Sequence, residues 1–254
     1  MAHTSVAAAH FAEGDFRAGS VISRSASMLS RHFLTFFIVT VIAHSPIVLL
    51  ARTLTTQPTD LDQAVRLKTA WAVLGLVQLI VLGTLGKAVI VHAAFQDMQR
   101  RPVRLAESLN VVWRRLLPIL GFTFVAYLLI WLGLSLLIIP GLILYTMWFV
   151  ALPACVMERL GPWSSLRRSR ELTKGHRWKL FGLALLLIIG GFGSSFLQFA
   201  LTAVDADPIV GLIGRLIWNG LWVSFAAAAV AVAYHDLRVA KEGVDIDQIA
   251  GVFD

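Results

Sequence analysis

The chain has 254 residues, of which 57% are hydrophobic and only 15% are charged, and its formal net charge is +7. This composition excludes an ordinary water-soluble domain, which needs more charge on its surface. The apolar residues fall in runs close to the roughly 20 residues that cross a hydrocarbon core, and none shows the alternation of a membrane β-barrel. The sequence therefore predicts an all-α integral membrane protein.

Three amphipathic helices are predicted in front of apolar runs. Residues 1–14 are small and mixed and predict a loose N-terminal tail. The segment that follows has apolar residues at helical spacing, opposite Arg17, Arg24 and several serines, which suits a helix in the membrane interface. Pro102 and Pro162 open two further basic helices of this kind. We name these three helices leaders, because each leads into two apolar spans.

Six apolar spans are predicted, and they form three hairpins. They lie at 33–51, 69–93, 116–137, 142–157, 180–203 and 209–234. The shortest connection is Pro140-Gly141, which predicts a tight turn between two helices. The predicted membrane domain covers residues 15–235, and a C-terminal tail covers 236–254.

The hairpins resemble one another in their order of parts. Leader, span, turn, span and acidic exit occur three times, at about 15–100, 101–160 and 161–240. The exits carry Asp97, Glu158 and Asp236. This order favours a triplicated helical hairpin. The alternative is that any membrane protein places charges at the ends of its spans.

Lysine and arginine are concentrated on one side of the predicted topology. The other side has only Arg52, Arg66 and Lys68. By the positive-inside rule, both termini and the two long connections are predicted to be cytoplasmic.

The basic residues near the leaders predict contact with anionic lipid, because each one contributes about 1 kcal/mol of attraction near an anionic leaflet. The predicted lipid contacts are Arg114, Arg115, Arg167, Arg168, Arg170, Lys174, Arg177 and Lys179. In the third leader, Trp163, Leu166 and Leu172 are expected to enter the acyl boundary. The alternative is that these charges serve only the topology.

Polar residues inside spans are costly and suggest a second site. His44 and Arg215, with Asp205 and Asp207, are predicted to form a polar pocket on the side opposite the leaders. The alternative is that Arg215, like Lys87, extends its side chain to the interface.

The chemistry of an enzyme is not evident, since catalysis needs converging nucleophiles, acids, bases or metal ligands. None of the seven histidines pairs with another at metal-ligand spacing. The single cysteine, Cys155, lies within a span and excludes an intrachain disulfide. Gly190, Gly191 and Gly193 lie inside a span and predict close helix packing. The sequence predicts no enzymatic activity, cofactor, metal or nucleic-acid binding.

Part of the sequence resembles the bacterial glycerophosphoryl diester phosphodiesterase membrane-domain family. The matching residues are Ile139-Pro140-Gly141, Pro153, Glu158, Ser169, Leu172, Gly175, Trp178, Tyr234-His235-Asp236-Leu237-Arg238 and Lys241-Glu242-Gly243-Val244-Asp245. The resemblance covers roughly the last 120 residues and is weaker before Arg100. Because the chain has no room for a catalytic domain, the resemblance implies association with a phosphodiesterase rather than activity. It brings no catalytic or binding residues.

These observations predict a multi-pass protein of the bacterial inner membrane, with membrane lipids, preferably anionic, as partners. The expected function is a non-enzymatic, lipid-interacting scaffold or envelope organiser. The rival is a small transporter or lipid-translocating protein with a cavity among the hairpins. A continuous cavity would favour transport, whereas a filled bundle would favour the scaffold.

Overall fold

The computed structural model describes residues 16–53, 60–203 and 208–242, and these ranges contain helices and turns but no β-strand. The α-helices are α1 (Ala18–Arg31), α2 (Phe33–Thr53), α3 (Leu61–Val77), α4 (Gly83–Met98), α5 (Leu105–Arg114), α6 (Leu116–Leu136), α7 (Ile138–Met147), α8 (Ala151–Met157), α9 (Pro162–Thr173), α10 (Arg177–Gly191), α11 (Gly193–Ala203) and α12 (Pro208–Glu242). A π-helical turn, π1 (Gln78–Leu82), joins α3 to α4.

Several of these helices are long and apolar enough to cross a membrane. Among the described residues there are four, at Leu61–Met98, Leu116–Leu136, Ile138–Met157 and Leu216–Glu242. The number rises to five if α1 and the first part of α2, which meet at 89°, form one broken span. The predicted all-helical class is confirmed, and the number of six spans stays a prediction.

The predicted span at 180–203 is interrupted, which lowers the count. The chain turns at Phe192, so α10 has 15 residues and α11 has 11. Each is shorter than the roughly 20 residues that a hydrocarbon core requires.

Two tryptophans of α12 pack against this interruption. The indole N–H of Trp222 donates to the carbonyl of Leu187 at 3.0 Å, and that of Trp218 donates to the carbonyl of Gly190 at 3.1 Å. A Cβ atom on Gly190 would lie 1.8 Å from Cζ2 of Trp222, and one on Gly193 would lie 2.2 Å from Cζ2 of Trp218. The structure thus confirms the close packing that these glycines predict.

We name a leader together with the two apolar segments after it a unit. Unit one contains α1–α4, unit two α5–α8 and unit three α9–α12. The last helices of the three units, α4, α8 and α12, contact one another at the centre. Their buried small residues include Ala93, Ala94, Ala151, Ala154, Ala228 and Ala231. Small side chains allow helix backbones to approach closely.

The first apolar helices surround this centre in a regular order. Helix α2 contacts α4 of its own unit and α12 of unit three. Helix α6 contacts α7 and α8, and also α4 of unit one. Helix α10 contacts α12, and also α7 of unit two. Each outer helix therefore lies between its own unit and the preceding one, with unit three preceding unit one.

The leaders follow the same order. Helix α5 packs on α4, α9 packs on α8, and α1 packs on α12. The buried leader residues are Val21, Ser25, Met28, Ser108, Val112, Ser165, Leu166, Ser169, Leu172 and Thr173. Because α1 packs against the last helix of the chain, the arrangement closes into a ring.

This packing corrects the expectation that the apolar stripe of the third leader enters lipid. Leu166 is 4% exposed and Leu172 is 1% exposed, both within the hydrophobic core, whereas Trp163 is 68% exposed. The helical spacing grouped Leu166 and Leu172 correctly, but Trp163 does not join them in the core. The spacing could not distinguish lipid from the neighbouring helices as the partner of these leucines.

Two helix boundaries also differ from the sequence-based expectation. The chain reverses at Leu137, with φ −158° and ψ 140°, and Pro140 lies in the first turn of α7. A proline in the first turn of a helix loses no helical hydrogen bond. Pro140-Gly141 is therefore compatible both with a turn between helices and with the first turn of α7. Helix α5 begins at Leu105 rather than Pro102, whereas Pro162 does begin α9.

The Gly190–Trp222 contact generates a prediction. Gly190→Ala should lower the free energy of unfolding by about 1–3 kcal/mol, because the added methyl group overlaps the indole ring. Gly182→Ala is the matched control in the same helix, since a Cβ there meets nothing within 4 Å. Thermal unfolding of the purified protein in detergent measures both. Equal melting temperatures for the two variants would contradict the packing.

Candidate functional site

Acidic residues near the ends of α8 and α12 bind arginines from leaders. At the end of α12, the guanidinium of Arg24 in α1 donates to Oδ1 of Asp236 at 2.5 Å. After α8, Nε of Arg168 in α9 donates to Oε1 of Glu158 at 2.8 Å. Both pairs connect the last helix of one unit with the leader of the next. We name the end of the bundle that carries these pairs the leader end.

The pair at Glu158 is part of a larger network. A second nitrogen of Arg168 donates to Glu242, which also accepts from Nε of Arg238 at 2.9 Å. The hydroxyl of Tyr234 donates to Glu158 at 2.5 Å. Burial alone would lower the pKa of Arg168, but its hydrogen bonds and ion pairs with Glu158 and Glu242 more than offset burial and raise that pKa. The network fixes α9 to α8 and α12.

The first exit is arranged differently. Asp97 of α4 accepts from Arg31 at 2.7 Å, and its other oxygen lies 2.7 Å from Nε2 of His32. Both partners belong to the end of α1, in the same unit. The second leader carries Glu107 at the position that Arg24 and Arg168 occupy in the other leaders. At that position the second leader therefore has no arginine that could bind Asp97.

A basic cavity of about 800 Å³ lies between α1 and the turn after α4. Its charged and hydroxyl-bearing lining consists of Ser23, Arg24, Ser27, Arg31, Asp97, Arg100, Arg101 and His235. Four arginines thus face one carboxylate around a space large enough for a ligand, since ligand sites typically occupy about 300–1,000 Å³.

The backbone at Arg100 forms a left-handed turn at the end of α4. Arg100 has φ +56°, in the left-handed region that glycine adopts more easily. Its N–H donates to the carbonyl of Asp97, and the N–H of Arg101 donates to the carbonyl of Gln96, which ends α4. Arg159, which follows α8, has nearly the same φ of +54°, so a left-handed arginine follows the end of both helices.

The predicted lipid contacts divide into two groups. Arg168 is held as described, and Arg115 donates to the carbonyls of Cys155 at 2.9 Å and Arg159 at 2.6 Å. These two guanidinium groups therefore bind protein groups. Arg114 donates to Asn110 within its own helix.

The other predicted contacts are more accessible. Arg167 pairs with Glu171 and remains 83% exposed. Arg170, Lys174 and Lys179 are exposed, and Arg177 is partly buried. An accessible basic surface therefore lies on and after α9. It does not include Arg115 and Arg168, which bind protein groups.

Sequence reasoning missed the basic cavity, although part of its signal is visible in the chain. Arg24-Ser25 and Arg168-Ser169 are each followed, three residues after the serine, by a buried Met28 or Leu172. This shared pattern marks the leader position that reaches an exit carboxylate. Arg100 and Arg101 carry no such pattern.

The predicted polar pocket around His44 stays a prediction. Asp205 and Asp207 lie outside the described residues, and so does the side chain of Arg215. Nδ1 of His44 lies 2.8 Å from the carbonyl of Thr40 in the same helix.

Comparison with known proteins identifies the family. The family model described as "Domain of unknown function (DUF7847)" matches residues 6–237, so the chain belongs to that family. Neither a search of curated proteins nor a search of solved structures found a match. The family match does not connect the chain with the glycerophosphoryl diester phosphodiesterase membrane-domain family, and that resemblance stays a prediction.

The network around Glu158 generates a prediction. Arg168→Gln should lower the free energy of unfolding by about 2–4 kcal/mol, because it leaves the partly buried Glu158 without its cation and Glu242 with Arg238 alone. Arg167→Gln is the matched control, because the Arg167–Glu171 pair is exposed and should contribute about 0.5 kcal/mol or less. Thermal unfolding in detergent measures the stability of both variants. If Arg168→Gln lost no more stability than Arg167→Gln, the network would contribute nothing.

Proposed function

We propose that this DUF7847 chain is a non-enzymatic, lipid-binding scaffold of the bacterial inner membrane, and that its basic cavity holds the headgroup of an anionic phospholipid. The observation that carries the proposal is the placement of four arginines in the lining of that cavity, of which Arg24 and Arg31 pair with Asp236 and Asp97. Guanidinium groups suit phosphate because their N–H donors form a planar fork that matches two phosphate oxygens.

The position of the cavity supports a lipid rather than a soluble anion. Large aromatic side chains on or beside the leaders are exposed at the same end of the bundle, namely Trp113, Trp163 and Trp178. Tryptophan is enriched at the level of lipid headgroups. A cavity at the leader end is then level with the phosphates of the bilayer.

The membrane arrangement is part of the same proposal. It comprises six spans in three hairpins, with the leaders and both termini on the cytoplasmic side. The cyclic packing of the three units supports a triplicated hairpin, and the excess of lysine and arginine at the leader end supports the orientation. Anionic lipid is available to the leaders on that side.

The direct contacts between α4, α8 and α12 favour the scaffold over a transporter. In the described part of the chain, buried alanines of α4, α8 and α12 occupy the region where these helices meet. A transport pathway between these three helices would have to separate them. The leaders hold them together through Arg24 and Arg168.

The lipid proposal is tested by changing the two cavity arginines that no exit carboxylate holds. In Arg100→Gln/Arg101→Gln, we expect the affinity for phosphatidylglycerol to fall about a hundredfold or more, since charge-assisted hydrogen bonds contribute about 1.5–3 kcal/mol each. Native mass spectrometry of the purified protein with added lipid measures this affinity. Arg66→Gln is the control, because Arg66 is exposed and, among the described residues, pairs with Asp62 of its own helix.

Phosphatidylcholine provides a second comparison, because it carries a phosphate but no net charge. The wild-type protein should bind it more weakly than phosphatidylglycerol. Unchanged phosphatidylglycerol binding in Arg100→Gln/Arg101→Gln would refute the cavity as the headgroup site.

The orientation is tested by single cysteines in a Cys155→Ala background. Lys174 and Lys68 are both exposed and lie in or near different predicted loops. Lys68→Cys should react with an impermeant thiol reagent in intact cells, and Lys174→Cys only after permeabilisation. The reverse pattern would invert the proposed topology.

A further inference from the structure

A second site is suggested by two adjoining cavities away from the leader end. The lateral cavity has a volume of about 540 Å³ and is lined by apolar and aromatic side chains of α3, π1, α6, α7 and α10. The inner cavity has a volume of about 140 Å³ and lies between α4, α6, α7, α8 and α12. Tyr127, Ile130 and Tyr145 line both cavities. The two cavities therefore adjoin each other.

A lysine side chain lines the inner cavity. Lys87 of α4 lines it together with Phe122, Trp148 and Val230, and no aspartate or glutamate does. Among the described residues, no ion pair of Lys87 is found. Lys87 faces helices of the bundle, and a positive charge in such surroundings is usually paired with an anion. Nothing in the lining supplies one.

From this geometry we propose that the two cavities bind one long-chain fatty acid. Its carboxylate lies beside the ammonium group of Lys87 in the inner cavity, and its acyl chain fills the lateral cavity. One cation matches the single charge of a carboxylate. The inner cavity is too small for a phosphodiester headgroup with its glycerol. The apolar lateral cavity suits a hydrocarbon chain, and its volume falls within the range of about 300–1,000 Å³ of ligand sites.

The local backbone supports this assignment. The π-helical turn Gln78–Leu82 interrupts the long helix directly before this site, and Ile80 within it lines the lateral cavity. Thr84 and Lys87 follow in the next two turns and line the inner cavity. Such π-helical turns occur frequently at functional sites. This inference is independent of the headgroup site at the leader end, since the two sites share no lining residue.

The proposal is tested by equilibrium binding of tritiated oleate to the purified, delipidated full chain in detergent. We expect saturable binding of one oleate per chain. Unlabelled methyl oleate should compete poorly, because it has the same chain but no charge. Lys87→Gln should weaken oleate binding about tenfold or more, because it removes the cation beside the carboxylate. Lys87→Arg should retain most of the affinity.

Two further variants separate binding from folding. Lys68→Gln removes an exposed lysine from the same long helix and should leave oleate binding unchanged. Leu76→Trp changes a 57% exposed residue on the wall of the lateral cavity, so it should weaken binding by occupying the space without disturbing the core. The proposal is overturned if Lys87→Gln binds oleate like the wild type, if methyl oleate competes as well as oleate, or if Leu76→Trp leaves the affinity unchanged.

Discussion

The architecture depends on carboxylates near the ends of helices that are held by arginines of the next leader. The Arg24–Asp236 pair joins residues 212 positions apart, and Arg168 joins Glu158 to Glu242. Helices in a bilayer gain little hydrophobic energy from one another, so their association relies on close packing and polar contacts. Small residues provide the close packing at the centre of this bundle, and the carboxylate–arginine pairs fix its leader end.

The basic cavity is a consequence of the same contacts. One wall is α1, which is held by Asp236 through Arg24 and by Asp97 through Arg31. These two arginines also line the cavity. A phosphate in the cavity would therefore share guanidinium groups with the carboxylates that hold α1. Under the proposed function, headgroup binding and ring closure would therefore be coupled.

Much of the helical framework could be predicted from the sequence, because apolar periodicity, Pro162 and Gly190 act locally. What a helix face contacts could not be predicted. Leu166 has the same pattern whether it meets lipid or protein, and the structure buries it in protein. The partners of Arg168 lie 10 and 74 residues away in the chain. Its ion pairs between helices could therefore be recognised only from the fold. The basic cavity likewise combines three segments that are distant in the chain.

Closure of the ring by Arg24 and Asp236 is tested most directly by a double-mutant cycle on these two residues. Arg24→Gln, Asp236→Asn and the double variant are compared by thermal unfolding in detergent. If the pair joins the first leader to the last helix, the single changes should not be additive, and the coupling energy should be about 1 kcal/mol. Fully additive losses, with no coupling energy, would contradict the closed ring.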